Sequence, residues 1–145
     1  MRVPDLQGTW KGEFHSTWTN PEAKAASEPR PMLLVIRQTF HSVSCTVFTE
    51  ESGSTSRAAQ IAVDETNGEI SLSYNYTNRS KPTLRERSPI HDGAANLRVI
   101  SEPTRMLEGE YWTGRCTTGE IRLKFFSRNL SERFLGEKSH AHATE

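Results

Sequence analysis

The chain has 145 residues, enough for one domain with a genuine core, and its 18 basic residues balance its 18 acidic ones. This neutral balance gives no support for a surface that binds DNA or RNA, although one or two cations suffice for a small phosphate-bearing ligand. The longest apolar run, Met32 to Ile36, is far too short to span a bilayer, and no signal-peptide pattern opens the sequence. We therefore expect this chain to be soluble and cytoplasmic.

Alternation of apolar and polar residues with period two, which is typical of strands, recurs along the first half of the chain. It predicts strands from Gly8 to Thr17, Met32 to Phe40, Val43 to Thr49 and Ala58 to Asp64. The segment from Thr19 to Pro31 is rich in Pro, Ala and Ser and predicts a loop. Glu50 to Arg57 is a polar turn region that leads into the fourth strand.

The second half continues the same pattern. Asn67-Gly68 is a strong turn signal that joins the fourth strand to the fifth. The predicted strands here are Glu69 to Asn78, Ile90 to Ile100 with an interruption at Asp92-Gly93, Leu107 to Thr113, and Glu120 to Phe126. Arg79 to Pro89 and Gly114 to Gly119 are connections. Residues 129–145 are expected to be a short helix or a disordered tail.

These eight strands, with no long helices between them, predict an all-β fold. Closing eight strands into an antiparallel β-barrel removes exposed sheet edges and leaves room for side chains or one small ligand. Residues 1–128 would then form a single β-barrel ligand-sensing domain. A two-sheet β-sandwich is the alternative, and the alternation alone does not separate the two folds.

No pattern in the sequence indicates catalysis. There is no Gly-rich phosphate loop, no Gly-x-Ser-x-Gly elbow and no His-Glu-x-x-His spacing, so we expect neither an enzyme nor a bound metal or cofactor. Cys45 and Cys116 have no C-x-x-C spacing, and two free thiols are the preferred interpretation over a disulfide.

Polar and aromatic residues within the strand patterns are more informative. Tyr74 and Tyr76 share the face of Ile70 and Leu72. The other members of this set are Asn78, His91, Thr113, Arg115, Ser54 and Ser56. Aromatic rings stack on nucleobases, guanidinium groups bind phosphates, and hydroxyls and amides hydrogen-bond both. On these grounds the tyrosines are either ligand-binding or structural, and the serines are more simply structural.

Six motifs follow one another in a characteristic order: Gly8-Thr9-Trp10-Lys11-Gly12, Val35-Ile36-Arg37-Gln38-Thr39-Phe40, the serine-rich Glu51 to Ser56, Tyr74-Asn75-Tyr76-Thr77-Asn78, His91-Asp92-Gly93-Ala94-Ala95-Asn96-Leu97, and Leu107 to Arg115 with Gly119-Glu120-Ile121. This order resembles the β-barrel sensor domain of the two-transmembrane effectors of CBASS, the bacterial anti-phage systems built on cyclic-oligonucleotide signalling. The resemblance runs from Gly8 to about Phe126.

The resemblance implies an eight-stranded barrel without a turnover role that binds a cyclic dinucleotide made by a partner nucleotidyltransferase. It implies that Tyr74, Tyr76, Asn78, His91, Tyr111, Thr113 and Arg115 line the ligand pocket, with Ser54 and Ser56 as weaker members. Arg115 would bind a phosphate, Tyr76 or Tyr111 would stack on a base, and Asn78 and Thr113 would form hydrogen bonds.

In that family two transmembrane helices precede the barrel, and ligand binding drives oligomerisation and disruption of the inner membrane. The full-length family member lies in the bacterial inner membrane with its barrel in the cytoplasm. The opening Met1-Arg2-Val3-Pro4-Asp5 looks like a trimmed start, so we expect the isolated sensor domain rather than a soluble relative. Membrane contact would then occur only through helices that this chain does not contain.

Two other hypotheses come from different functional classes. The Gly8-Thr9-Trp10 opening also resembles lipocalin-like small barrels, which carry an apolar ligand. The polar residues on the inward faces count against that hypothesis. An enzyme that acts on a nucleotide is the weaker third option.

Overall fold

The computed structural model of the chain describes residues 3–17, 19–20, 25–26, 28–50, 52–80, 91–114 and 117–133. Within them the chain forms ten strands: β1 (Gly8–Ser16), β2 (Thr19–Asn20), β3 (Ala25–Ala26), β4 (Arg30–Gln38), β5 (Val43–Thr49), β6 (Ser52–Val63), β7 (Ile70–Ser80), β8 (His91–Ile100), β9 (Met106–Thr113) and β10 (Thr118–Ser127). No helix in the described part is long and apolar enough to cross a membrane.

Eight of these strands close into one antiparallel barrel in the order β1-β10-β9-β8-β7-β6-β5-β4, and β4 pairs with β1 to complete the ring. The predicted eight-stranded barrel is therefore confirmed, and the sandwich alternative is wrong. The short strands β2 and β3 pair only with each other.

Strand parity determines which side chains fill the interior. Along β10, Ile121 and Leu123 are buried, whereas Arg122 and Lys124 between them are exposed. The same alternation places Trp10, Leu72 and Leu97 in the common core. Every second residue of each barrel strand thus faces inward, because successive side chains of a strand point to opposite faces.

The predicted connections Arg79 to Pro89 and Gly114 to Gly119 each overlap a strand by two residues, because β7 continues to Ser80 and β10 begins at Thr118. Three further predictions are wrong in their boundaries. The region Glu50 to Arg57 is mostly strand, because β6 begins at Ser52 and pairs with β5, for example Ser54 with Val47, and a bulge at Arg57 absorbs the irregularity. Strand β8 is not interrupted at Asp92-Gly93. Gly93 pairs with Tyr76 on one side and Thr113 on the other, so the two ladders override its turn propensity.

The third correction concerns the predicted loop from Thr19 to Pro31. It contains the short pair β2 and β3, and its last two residues belong to β4, where Arg30 is the register partner of Phe14. Cross-strand pairing with β1 therefore extends β4 beyond its apolar stretch, even though Pro31 lowers the strand propensity of this segment.

Two glycines allow adjacent strands to approach closely. A Cβ at Gly12 would collide with the carbonyl oxygen of Arg122, and a Cβ at Gly109 would collide with that of Asn96. Both glycines face neighbouring strands where the sheet bends, as expected for glycine within a strand of a curved sheet.

One end of the barrel is sealed by the segment that precedes β1. Leu6 is 1% exposed, its N–H donates to Oε1 of Gln38 over 2.8 Å, and its carbonyl accepts from Nε1 of Trp10 over 3.0 Å. The Arg105 guanidinium lies over the rings of Trp10 and Phe125, 5.3 and 4.4 Å from their centroids. We call this the closed end, formed by Leu6, Trp10, Gln38 and Arg105.

The chain that follows β10 packs on the outside of the barrel. The Thr9 hydroxyl donates to the carbonyl of Asn129 over 2.7 Å and accepts from the N–H of Ser131 over 3.0 Å. Thr9 is 1% exposed, as is its cross-strand partner Val35, so this part of the outer face is covered. The rest of the predicted tail, beyond residue 133, lies outside the described residues.

Leu6→Ala should lower the free energy of unfolding by about 2–4 kcal/mol, because it removes a fully buried side chain and opens a cavity at the closed end. Urea denaturation followed by circular dichroism measures this change. Val3→Ala is the matched control, since Val3 is 58% exposed in the same segment, and its effect should stay within about 0.5 kcal/mol. Equal effects of the two substitutions would contradict a sealing role for Leu6.

Candidate functional site

The candidate residues meet at the end of the barrel opposite the closed end. Strands β1, β5, β7 and β9 finish there, and β4, β6, β8 and β10 begin there. Tyr74 and Tyr76 on β7 and Tyr111 on β9 all face inward at this end. We call it the tyrosine end. The antiparallel register thus brings together residues that lie far apart in the sequence.

Large and small side chains alternate around the interior at the level of Tyr111. Its cross-strand partners are Gly119 on β10 and Ala95 on β8, and Ala95 is in turn the partner of Tyr74. A Cβ at Gly119 would lie 2.5 Å from Cζ of Tyr111. The small residues therefore leave the room that the tyrosine rings occupy.

The next layer outward carries Tyr76. Its register partners are Gly93 on β8 and Ser56 on β6. Gly93 is in turn the register partner of Thr113 on β9. The centroids of the Tyr74 and Tyr76 rings are 5.9 Å apart, with the ring planes tilted by 43°. The two rings thus form one aromatic wall along β7, and aromatic faces of this kind stack well on nucleobases.

Two hydroxyl groups in this interior have no hydrogen-bond partner among the described residues. Ser54 is 5% exposed and Tyr74 is 4% exposed, and within the part of the chain that the structure describes neither side chain forms a hydrogen bond. A buried hydroxyl without a partner costs about 1–3 kcal/mol. Such groups call for an explanation, and a polar ligand that bonds to them in the bound state is one.

The hydroxyls of Ser56 and Thr113 are already engaged. Ser56 Oγ accepts the N–H of Cys45 over 2.9 Å, and Thr113 Oγ1 lies 2.6 Å from Oγ1 of Thr117. The N–H of Thr113 also donates to the carbonyl of Thr117 over 2.9 Å. Ser56 and Thr113 therefore stabilise the interior and the β9–β10 turn, and both are close enough to the tyrosines to contact a ligand as well.

Three candidates are located less fully. Asn78 and His91 are register partners at the rim of the tyrosine end, but their side chains lie outside the described part of the structure. Arg115 lies wholly outside the described residues, in the turn between β9 and β10. The role of these three residues in a ligand site stays a prediction.

Burial keeps the tyrosine hydroxyls protonated. It raises the pKa of Tyr76 to about 12 and that of Tyr74 well above its usual value. Burial also raises the pKa of Tyr111, partly opposed by a hydrogen bond with Ser16. All three groups are therefore neutral hydrogen-bonding groups at physiological pH. Cys45, below this wall, is a buried free thiol whose pKa burial raises to about 12.

Sequence reasoning missed three residues of this end. Ser16 and Phe14 lie on the inward face of β1, and the Phe14 ring meets Tyr111 edge-on at 6.0 Å between centroids. Their parity with Trp10 and Gly12 was the signal that could have identified them. Arg30 lies at the rim beside Phe14, and it was missed because its segment was predicted to be a loop.

A separate concavity lies on the outer face of the barrel. It is an open groove of about 1090 Å³. Its lining includes six carboxylates but only two guanidinium groups: Glu13, Asp64, Glu69, Glu108, Glu110 and Glu120 against Arg98 and Arg122. Both guanidinium groups already pair with Glu108, at 3.8 and 3.1 Å. A doubly charged anion would be repelled there, so the tyrosine end remains the candidate site.

A closed barrel with a packed apolar end and an aromatic, hydroxyl-rich opposite end is a small-ligand-binding β-barrel. The sequence comparison then gives the family. A family model described as "Cap15, cyclic dinucleotide receptor domain" matches residues 1–125, and the chain belongs to this family. The resemblance inferred from the motif order is thereby confirmed, and the lipocalin-like alternative is not favoured.

A named relative is consistent with this assignment. The chain is similar to CD-NTase-associated protein 15 of Staphylococcus schleiferi, with 37% identity over 89 residues. The matched region covers 61% of this chain and 46% of the relative. The chain therefore spans about half the length of the curated relative it matches.

Alkaline pH should destabilise the barrel through these buried groups. Tyr76 keeps its proton in the folded state until about pH 12 but loses it near pH 10 when unfolded. Its contribution is therefore complete below pH 10 and is lost as the pH rises to 12, with a slope of up to about 1.4 kcal/mol per pH unit. Urea unfolding between pH 8 and 11.5 should show a shallower decline for Tyr76→Phe. The contribution of Cys45 is the same in both proteins and cancels in the comparison. Identical slopes of unfolding free energy against pH for the wild type and Tyr76→Phe would contradict this account.

Proposed function

We propose that the tyrosine end binds a cyclic dinucleotide and that this domain is the sensor of a CBASS-type anti-phage effector. The observation that carries the proposal is a pair of buried hydroxyls, Ser54 and Tyr74, that have no hydrogen-bond partner among the described residues and lie beside an aromatic wall in a receptor-family barrel. The site has hydrogen-bonding groups and ring faces for a nucleobase, and it needs no catalytic group. We therefore infer a binding domain rather than an enzyme, with no metal or other cofactor.

The proposed ligand-binding residues are Ser54, Ser56, Tyr74, Tyr76, Asn78, His91, Tyr111, Thr113 and Arg115. The strand register supports this set for every member except Arg115, which lies outside the described residues. Tyr76 or Tyr111 stacks on a base, and Asn78 and Thr113 form hydrogen bonds with the ligand. Arg115 binds a phosphate, because its guanidinium presents a planar fork of donors to phosphate oxygens.

The charge distribution supports one orientation of this ligand. The described residues that are both buried and inward-facing at the tyrosine end carry rings and hydroxyls but no charge, whereas Arg30 lies exposed at the rim. Bases enter an uncharged interior at lower cost than phosphates, because a buried phosphate without a cation loses its hydration. In this arrangement the bases face the interior and the phosphates lie at the rim.

In the full-length protein we propose a wider role that rests on the family resemblance. A partner nucleotidyltransferase supplies the cyclic dinucleotide, ligand binding drives self-oligomerisation, and membrane helices outside this chain disrupt the inner membrane with the barrel in the cytoplasm. The relative's name, CD-NTase-associated protein 15, supports the link to a nucleotidyltransferase.

Isothermal titration calorimetry against a panel of cyclic di- and trinucleotides tests the proposal directly. At least one cyclic dinucleotide should bind with one-to-one stoichiometry per barrel, and linear dinucleotides of the same bases serve as controls. A folded protein that binds no member of the panel would sink the proposed function.

Ser54→Ala should lower the affinity for that cyclic dinucleotide by roughly fivefold, which corresponds to about 1 kcal/mol for one hydrogen bond. It should not lower the thermal stability of the free protein, because the hydroxyl has no hydrogen-bond partner within the described ranges of the chain. Thr55→Ala is the matched control, since Thr55 is exposed on the outer face of the same strand. A loss of stability without a change in affinity would show that Ser54 is structural.

A further inference from the structure

The phenol end of Tyr76 lies directly over Gly93. A Cβ built on Gly93 would lie 2.6 Å from both Cζ and Oη of Tyr76 and 2.9 Å from Cε2. Carbon atoms in contact are ordinarily about 3.5–4.0 Å apart. Only glycine at residue 93 is therefore compatible with the present position of the Tyr76 ring.

This relation differs from that of the other tightly packed glycines. The obstacle at Gly12 and Gly109 is a backbone carbonyl, and at Gly119 the carbonyl of His15 lies 2.5 Å from the added Cβ in addition to the Tyr111 ring. At Gly93 the three nearest atoms all belong to the far end of one side chain. That side chain can move, so a methyl group at residue 93 would displace the ring rather than break the strand.

The backbone at residue 93 does not itself call for glycine. The positive-φ glycines are Gly8 and Gly68, and Gly93 lies within β8, paired on both sides. A glycine in the middle of a strand lowers stability, because it loses more conformational freedom on folding and packs no side chain. Glycine at residue 93 thus lowers the stability of the fold, and its structural consequence is the position of the Tyr76 ring.

We propose that Gly93 is a positioning residue for the ligand site and acts only through Tyr76. It lets the ring lie against the β7–β8 wall, next to Tyr74, so that the ring face is presented to a nucleobase. This inference rests on the proposed cyclic-dinucleotide function. A methyl group at residue 93 pushes the ring off the wall into the space that the base needs.

The test compares the wild-type protein with Gly93→Ala in titrations with a cyclic dinucleotide that the wild type binds. The variant should lose about fivefold or more in affinity, since the displaced ring no longer stacks on the base. Its melting temperature should change by only a few degrees, and its near-ultraviolet tyrosine circular dichroism should change because the ring moves. Gly53→Ala is the control, since its nearest neighbour is 3.8 Å away, and it should bind like the wild type.

A Tyr76→Ala background separates positioning from a general structural effect. If Gly93 acts only through the ring, Gly93→Ala in this background should cause no further loss of affinity and should raise the melting temperature. The same background keeps the inference testable if Gly93→Ala alone fails to fold. In that case the double variant should fold, because the obstructing ring has been removed. A double variant that stays unfolded would place the obstacle in the backbone and overturn the inference.

The outcomes distinguish the two proposals. If the wild type binds no cyclic dinucleotide, the proposed function fails. If the wild type binds and Gly93→Ala binds equally well, the function stands and the role of Gly93 is wrong. A further loss of affinity caused by Gly93→Ala in the Tyr76→Ala background would also overturn it, because Gly93 would then act without the ring.

Discussion

Closure of the sheet through the β1–β4 ladder is the constraint on which the rest of the structure depends. This ladder runs from Gly8 paired with Ile36 to Phe14 paired with Arg30, and it leaves no free edge among the eight barrel strands. A closed ring of eight strands encloses a narrow interior that side chains can fill. Inward-facing positions must therefore combine large and small residues, as Tyr111 does with Gly119 and Ala95.

The two ends of this interior are filled by different means. At the closed end Leu6, Trp10 and Phe125 pack tightly, and the Trp10 N–H has a partner in the Leu6 carbonyl. At the tyrosine end the hydroxyls of Ser54 and Tyr74 are buried without partners in the described part of the chain. Apolar packing at the closed end thus offsets the free-energy cost of burying hydroxyl groups at the tyrosine end. Local rules of packing are broken in this way where a protein uses the residues for function.

The sequence predicted the strands and the facing of the tyrosines, because both follow from period-two alternation, which is a local property. Closure into a barrel rather than a sandwich depends on the β1–β4 ladder, which the alternation does not determine. The parity of Tyr74 and Tyr76 with Leu72 placed them correctly inside. The start of β6 at Ser52 and the continuity of β8 through Gly93 were not predictable in this way. They depend on ladders with partner strands, which override the turn propensity of Ser-Gly and Asp-Gly.

The site shows the same division between local and long-range information. Serines at strand spacing are visible in the sequence, but the difference between Ser54 and Ser56 arises only in the fold. The N–H of Cys45 donates to Ser56, whereas Ser54 has no hydrogen-bond partner in the part of the chain that the structure describes. Similarly, the sequence alone is compatible with a bend at Gly93. Only the cross-strand register shows that Gly93 lies beneath the Tyr76 ring.

The features that weaken the free barrel therefore coincide with those that a ligand would complement. In the proposed complex the hydroxyls of Ser54 and Tyr74 would gain partners from a polar ligand, and the Tyr76 ring already lies against Gly93 in the free barrel. Pre-organised groups of this kind lower the entropic cost of association, because little has to be ordered when the ligand binds. Binding to the folded state alone also stabilises that state. A receptor barrel built in this way concentrates its instability at the site where its ligand acts.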